Sequence, residues 1–195
     1  MLFRSRNGKG CVVVFSTGND YSNVSFPAYM SGIIAVGAID TNGYRCNFSN
    51  FGPELSVVAP GVHISSLDRE EYYGYNPYYS SYYNLPDYGN RDYTKNFGGT
   101  SAACPHVSGL AALMLSVNPN LTGTQVKNII EQTARKVRNE TYNYQDMPGY
   151  INGTWNQYTG YGLIDAYAAI KAVTGKPFDL YTRDNDLDDG SEPTP

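Results

Sequence analysis

The chain has 195 residues, 41% of them hydrophobic, and a formal net charge of −4 at pH 7. This length allows one domain with a sizeable core. The negative charge and the lack of a basic patch argue against a nucleic-acid partner, and the sequence has no continuous apolar run of about 18 residues to span a membrane. The three cysteines lack the spacing of metal ligands. We expect two of them, Cys11 and Cys104, to be buried thiols because they fall in predicted core elements.

Segments rich in valine and isoleucine predict β-strands over 11–16, 33–39 and 55–59. Their apolar residues do not alternate cleanly with polar ones, which is typical of a parallel sheet covered on both faces. The predicted helices follow later in the chain, at 101–117, 122–138 and 163–173. The first of these helices is apolar on nearly every side, so we expect it to be buried. Strands and helices together indicate an α/β fold.

Two stretches of the chain have an unusual composition. Nine tyrosines lie between Tyr72 and Tyr93, within a segment, 68–96, that is too polar to form core. Because this segment leads directly into Gly98, we expect it to lie near a functional cleft, where its tyrosines could contact a polypeptide. The alternative is a solvated loop without a substrate role. Residues 176–195 are acidic and end in Pro-Thr-Pro, a composition typical of a disordered tail or linker.

A hydroxyl residue opens the predicted helix of 101–117. The sequence there is Gly-Gly-Thr-Ser, ending at Ser101, and Pro105 fits the first turn of a helix, where few N–H groups have partners. Unpaired N–H groups and the positive end of the helix dipole favour the negative charge that develops during acyl transfer. Ser101 is therefore either a helix N-cap, a role that serine commonly fills, or a nucleophile that needs an oriented base.

The same segment resembles the nucleophile motif of the subtilisin-like serine proteases (subtilases), Gly-Thr-Ser-x-Ala-x-Pro-His. The matching positions are Gly99, Thr100, Ser101, Ala103, Pro105, His106 and Gly109. Further motifs follow in the family's order over roughly residues 9–175, among them a strand segment, 10–19, that ends in an asparagine. The resemblance implies a three-layer α/β fold with a mostly parallel sheet. It also implies hydrolysis of a polypeptide through an acyl-enzyme.

The resemblance assigns site residues as well. It implies that Ser101 is the nucleophile and that Asn19 is the amide donor of an oxyanion hole, although an asparagine after a glycine at a strand end is often only a turn residue. The residues implied to line the substrate cleft are Ser16, Thr17, Gly18, Gly99 and Thr100. No metal ligand is implied in this site.

Two motifs of the family do not occur in this sequence: the Asp-Thr/Ser-Gly of the catalytic aspartate and the His-Gly-Thr of the catalytic histidine. Of the two histidines present, His106 lies about 140° around the helix from Ser101 and is expected to be packed and structural. His63 follows a strand, at a place where the family has no catalytic residue. Residues 1–175 thus resemble the C-terminal half of a subtilase domain. The alternative to an active portion is an inactive fragment or pseudoenzyme that at most binds peptides.

The resemblance implies four further features. With the N-terminal strands missing, the sheet is incomplete, and its open edge predicts self-association or pairing with a complementary N-terminal half. No cofactor is required, and a structural calcium ion is allowed, with carbonyl oxygens of 28–31 as candidate ligands. The Phe26–Pro27 peptide bond is expected to be cis. Family members are mostly exported, so we expect a secreted or cell-surface parent protein, although this sequence has no signal peptide.

Overall fold

The computed structural model describes residues 5–82 and 87–175. Their strands are β1 (Val14–Ser16), β2 (Ile34–Ile39), β3 (Val57–Pro60), β4 (Ile64–Leu67) and β5 (Tyr93–Phe97). Their helices are α1 (Tyr75–Tyr82), α2 (Thr100–Val117), α3 (Gly123–Thr133) and α4 (Ala166–Thr174), with a 3₁₀ turn at Glu71–Tyr73 before α1. The predicted acidic tail, 176–195, lies outside the described residues.

Strands β1, β2 and β3 form a parallel sheet with β2 in the middle. All six residues of β2 are buried, and they alternate between two apolar clusters. Ile34 and Val36 pack with residues of α2, α3 and α4, whereas Ala35 and Ile39 pack with Val24 and other loop residues. Burial on both faces explains why the strand residues do not alternate, and it confirms the α/β fold with a parallel sheet. The loop on the second face contains the Phe26–Pro27 bond, which is cis as expected.

Strand β1 is an outer strand of this sheet. It pairs with β2 on one side, and no strand of the described residues pairs with it on the other. Phe15 is 38% exposed, and Cys11, which precedes the strand, is exposed too. The expectation of a buried Cys11 is therefore wrong, because a strand with a neighbour on one side only leaves part of its surface in solvent. Cys104 is only half-buried.

Helix α2 begins one residue before its predicted start and ends at Val117, as predicted. Its buried residues pack on the parallel sheet and on α4. Most of the remaining residues are exposed, and we call the surface that they form the open face of α2: Ser101, Pro105, His106, Ser108, Gly109, Ala112, Leu113, Ser116 and Val117. Leu113, for example, is 55% exposed. The expected burial on every side is therefore wrong, because composition alone does not tell whether anything covers the second side of a helix.

By length and composition, α2 could also cross a membrane, since its 18 residues have a mean hydropathy of 1.3. The expectation that the sequence holds no apolar run of this length is thus wrong. The contacts of α2 with β1, β2, β3 and α4 are those of a core helix in a folded domain, and core helices can be equally long and apolar.

Helices α3 and α4 are both shorter than predicted. Helix α3 has an N-terminal capping box, formed by Thr122 and Gln125, but it ends at Thr133 instead of residue 138. The chain leaves the helix there because the backbone of Arg135 pairs with that of Leu163 through hydrogen bonds of 2.7 and 2.9 Å. Leu163 also forms a parallel bridge beside β3. The segment predicted to begin α4 is therefore extended, and the helix starts three residues later.

The tyrosine-rich segment contains regular structure: α1 follows a turn, and β5 pairs antiparallel with β4, the strand that lies just before the segment. Two polar side chains hold it together. The Asp68 carboxylate accepts the N–H groups of Tyr75 and Asn76 at the start of α1. The Asn76 amide, 5% exposed, donates to the carbonyls of Tyr88 and Tyr93. The described residues of 64–97 thus form a small unit with its own polar interior, not only a solvated loop; we call it the tyrosine-rich unit.

The three thiols should differ sharply in reactivity. Burial, aided by the nearby Asp40 carboxylate, raises the pKa of Cys46 to about 11. At pH 8 only about one Cys46 thiol in a thousand is then the reactive thiolate. Under native conditions we expect iodoacetamide to modify the exposed Cys11 first and Cys46 last, as measured by peptide mass spectrometry. Equal labelling rates in the folded protein would contradict the burial of Cys46, whereas denatured protein should react at all three cysteines.

Candidate active site

Ser101 lies in the first turn of α2, and a glycine, not Ser101, caps this helix. The Gly99 carbonyl accepts the N–H groups of Ala102 and Ala103 at 3.0 and 3.3 Å. The φ angle of Gly99 is 109°, in the range that favours glycine. Ser101 is exposed. The interpretation of Ser101 as an N-cap is therefore wrong, and its side chain is accessible at the amino end of a core helix.

Thr100, the residue before Ser101, holds the side chain of Asn19 against this helix. Its side-chain oxygen accepts both the backbone N–H of Thr100, at 2.8 Å, and the Thr100 hydroxyl, at 2.9 Å. Because these two bonds use the acceptor capacity of the amide oxygen, the Asn19 Nδ2 group is directed elsewhere. It lies beside Gly99, 3.3 Å from the position that a Cβ would take there.

Two N–H donors therefore remain at this end of the helix. Among the hydrogen bonds of the described residues, neither Asn19 Nδ2 nor the backbone N–H of Ser101 has an acceptor. Donors fixed in advance near a nucleophile can bind the negative charge that develops on a carbonyl oxygen. The orienting role of Thr100 could not be found in the sequence, since residues 19 and 100 meet only in the fold.

The loop that carries Asn19 is built around the side chain of Asn50, which is 1% exposed. The partners of its amide are the N–H groups of Asp20 and Ser22 and the carbonyls of Thr17 and Asn23, at 2.9 to 3.0 Å. Gly18 packs on the same amide. A Cβ at Gly18 would lie 2.4 Å from Asn50 Nδ2, and its φ is 105°. Sequence reasoning missed Asn50, because nothing local distinguishes a buried asparagine from a turn residue.

Replacing Asn50 with alanine should destabilise the protein and loosen the Asn19 loop. Four backbone groups lose their partner, so we expect the free energy of unfolding to fall by about 2–4 kcal/mol, measured by urea denaturation. Asn42→Ala is the matched control, because Asn42 is exposed, and it should change stability by less than about 0.5 kcal/mol. Equal effects of the two substitutions would show that Asn50 does not organise this loop.

The residues implied to line the cleft differ in accessibility. Thr17 and Thr100 are both 0% exposed, and the Thr17 hydroxyl donates to the Asn50 carbonyl. These two residues therefore lie beneath the surface that surrounds Asn19, with neither side chain nor backbone exposed. Ser16, Gly18 and Gly99 are half-buried at the surface around Asn19. The assignment of all five to substrate binding stays a prediction.

A cavity of about 340 Å³ opens beside Asn19. Its walls are formed by Asn19, Phe48, Val62, His63, Asn96, Gly98 and Gly99. His63 thus lies near the candidate site, with a positive φ of 55°. His106 is hydrogen-bonded as expected, with Nδ1 3.0 Å from the Ala102 carbonyl oxygen, but it is exposed. The expectation that it is packed is wrong, because nothing among the described residues covers that side of α2.

The subtilase family model matches residues 1–162 of the chain. A calcium-dependent protease from Nostoc sp. is 34% identical over 197 residues, which cover 94% of this chain and 28% of that protein. Subtilisin DY from Bacillus licheniformis is 38% identical over 138 residues, which cover 68% of this chain and 43% of that protein.

Solved structures agree with these matches. Fervidolysin from Fervidobacterium pennivorans, described as a keratinolytic enzyme related to subtilisin, superposes with a TM-score of 0.62 at 32% identity, over 82% of this chain and 22% of that one. A protease from Pseudoalteromonas arctica gives a TM-score of 0.62 at 27% identity, over 87% and 44%. The chain spans less than half the length of these relatives. By its motifs, its fold and these matches, the chain belongs to the subtilase family of serine proteases.

Proposed function

We propose that this chain is the C-terminal portion of the catalytic domain of a serine endopeptidase, with Ser101 as nucleophile and Asn19 as oxyanion donor. The observation that carries the proposal is the pair of hydrogen bonds from Thr100 to the Asn19 oxygen. They orient the amide so that its N–H group is left for a substrate. The helix N-terminus adds the backbone N–H of Ser101 and a favourable dipole.

In this reaction the Ser101 oxygen attacks the scissile carbonyl carbon, and its proton passes to a histidine base. The carbon–nitrogen bond then breaks, the histidine returns the proton to the leaving amine, and water hydrolyses the ester. The chain carries no Asp-Thr/Ser-Gly or His-Gly-Thr motif. We therefore propose that the catalytic aspartate and histidine belong to a polypeptide segment outside this sequence. This segment packs on the open face of α2 and on the free edge of β1.

The substrate is a polypeptide that passes Asn19. Ser16, Gly18 and the Gly98–Gly99 turn form the nearby walls. The tyrosine-rich unit extends them, since Phe97 at the end of β5 leads straight into this turn. Tyr72 and Tyr73, 68% and 81% exposed, offer rigid apolar surface that binds at low entropic cost. We expect the parent protein to be exported.

A second candidate is a module that binds peptides without cleaving them. Two observations favour it: the sequence contains no histidine in the catalytic motif, and the tyrosine-rich unit is surface-exposed beside the site. The two proposals differ in one property, the reactivity of Ser101.

A fluorophosphonate probe tests this difference. The 195-residue chain should remain unlabelled by itself and become labelled at Ser101 when it is co-expressed with the part of the Nostoc relative that precedes the matched region. Labelling should disappear in a Ser101→Ala variant. A folded complex that binds peptide but takes up no probe would establish the binding module instead, and labelling of the chain alone would show that the base lies within it.

A further inference from the structure

A lysine occupies an oxygen-lined pocket beside the loop between β1 and β2. The pocket, about 320 Å³ in volume, lies between that loop, the start of β3 and helix α3. Lys127 reaches into it from α3. Its Nζ donates to the Ile33 carbonyl and to the Ser56 hydroxyl, both at 2.8 Å, and forms a 2.8 Å ion pair with Glu131.

The three oxygen partners match the three protons of an ammonium group. Glu131 is 4% exposed, and its second carboxylate oxygen accepts a hydrogen bond from the Asn152 amide at 2.6 Å. The carboxylate is thus buried, paired and fully hydrogen-bonded. A buried charge with this set of partners is stable only while its counter-charge stays in place.

The same oxygens are the kinds of ligand that calcium binds. A backbone carbonyl, a hydroxyl and a carboxylate are hard oxygen donors, and calcium requires six to eight of them. No group of three or more His, Cys, Asp or Glu within 5–82 and 87–175 could hold a metal. Glu54 is the other carboxylate in the pocket wall, and it is exposed. The Ile33 carbonyl, the Ser56 hydroxyl and the Glu131 carboxylate therefore do not fit a calcium ion, because the Lys127 ammonium already bonds all three.

We propose that the Lys127 ammonium is the resident cation of this pocket and that it fixes the loop of 28–33 to helix α3 in place of calcium. The loop, which the resemblance offered as a calcium site, is then held by a covalently attached charge that no chelator can remove. Without that charge, the buried Glu131 carboxylate faces the pocket unpaired, and the pocket becomes a site for cations from solution.

Hydrogen–deuterium exchange of the full 195-residue chain tests the first half of this proposal. Peptides spanning 28–36 should exchange at the same rate in a chelator and in millimolar calcium. The walls of this pocket include Tyr29 and Tyr150, which would sensitise the luminescence of a bound terbium ion. We expect no terbium signal that calcium can displace. Slower exchange of these peptides in calcium would overturn the proposal. None of these readouts depends on peptidase activity.

Substitution of Lys127 tests the second half. In a chelator, Lys127→Met should lower the melting temperature by about 5–10 °C, and calcium should recover part of that loss. Lys127→Arg keeps the charge, so it should lower the melting temperature less than Lys127→Met does. Lys171→Met is the matched control, because Lys171 is exposed on α4. Its melting temperature in a chelator should equal that of the wild type, and calcium should not raise it. A Lys127→Met protein as stable as the wild type, or one that calcium does not affect, would contradict the proposal. If this variant does not fold, the exchange experiment on the wild-type chain still decides.

Discussion

Replacing Ser101 with alanine is expected to abolish fluorophosphonate labelling and to lower peptide hydrolysis on the order of 10⁶-fold in the complemented enzyme. This magnitude is the one known for the nucleophile of a subtilisin. The physical reason is that the acyl-enzyme cannot form without the Ser101 oxygen, while water attack retains only the contribution of the oxyanion donors and of substrate binding. Hydrolysis of a chromogenic peptide measures the loss.

Ser108→Ala is the matched control for this substitution. Ser108 lies on the same open face of α2, and its hydroxyl donates only to the Cys104 carbonyl one turn back, at 3.4 Å. Because the proposed N-terminal half packs on this face, labelling should fall far less than in Ser101→Ala, and the melting temperature of the chain alone should not change. If Ser101→Ala retained labelling, or if Ser108→Ala lost it, the assignment of Ser101 as the nucleophile would be wrong.

Replacing Asn19 with aspartate should lower kcat by about 10²–10³-fold with little change in KM. This range, too, is known from a subtilisin. The substitution is informative because a carboxylate keeps an oxygen that accepts from the N–H and hydroxyl of Thr100. What it removes is the Nδ2 donor, and it puts a negative charge where the oxyanion forms. We expect the melting temperature to change little, so that the loss can be assigned to the transition state.

Thr100→Val separates orientation from donation at the same site. Valine has the shape of threonine, but it removes the hydroxyl bond to Asn19 and leaves the backbone bond. One neutral hydrogen bond contributes about 1 kcal/mol, so we expect kcat to fall about five- to tenfold, far less than in Asn19→Asp. If both variants lost activity equally, Asn19 would act by holding the helix terminus and not as a donor.

The elements of the α/β core were predictable because their signals are local. Helix α2 begins at Thr100, one residue from its predicted start, since glycines before an apolar segment favour a helix start. The expectation that Pro105 lies in the first turn is wrong, because Pro105 is the sixth residue of the helix and lies inside it. The run of apolar residues in β2 likewise predicts burial on both faces of the strand. Family motifs then located Ser101 and Asn19 without any knowledge of their contacts.

The errors share one cause, which is that burial and helix length depend on distant neighbours. The stripe of apolar residues in α3 continues past Thr133, but pairing of Arg135 with Leu163 ends the helix. Cys11 and His106 lie in segments with the composition of a protein core, yet both residues are exposed. In each case a partner far along the chain, or its absence among the described residues, decides what the local pattern leaves open.

By itself, the sequence determined the family and the order of the core elements, and it predicts Ser101 as the nucleophile, because each rests on residues that are close together in the chain. Only the tertiary structure decided that Gly99 caps α2, that Thr100 orients the Asn19 amide, and that Lys127 fills the pocket beside the loop of 28–33. The last two contacts join residues 81 and 94 positions apart. A hydrogen bond between such distant residues depends on how helices pack on the sheet, and no short stretch of sequence encodes that packing.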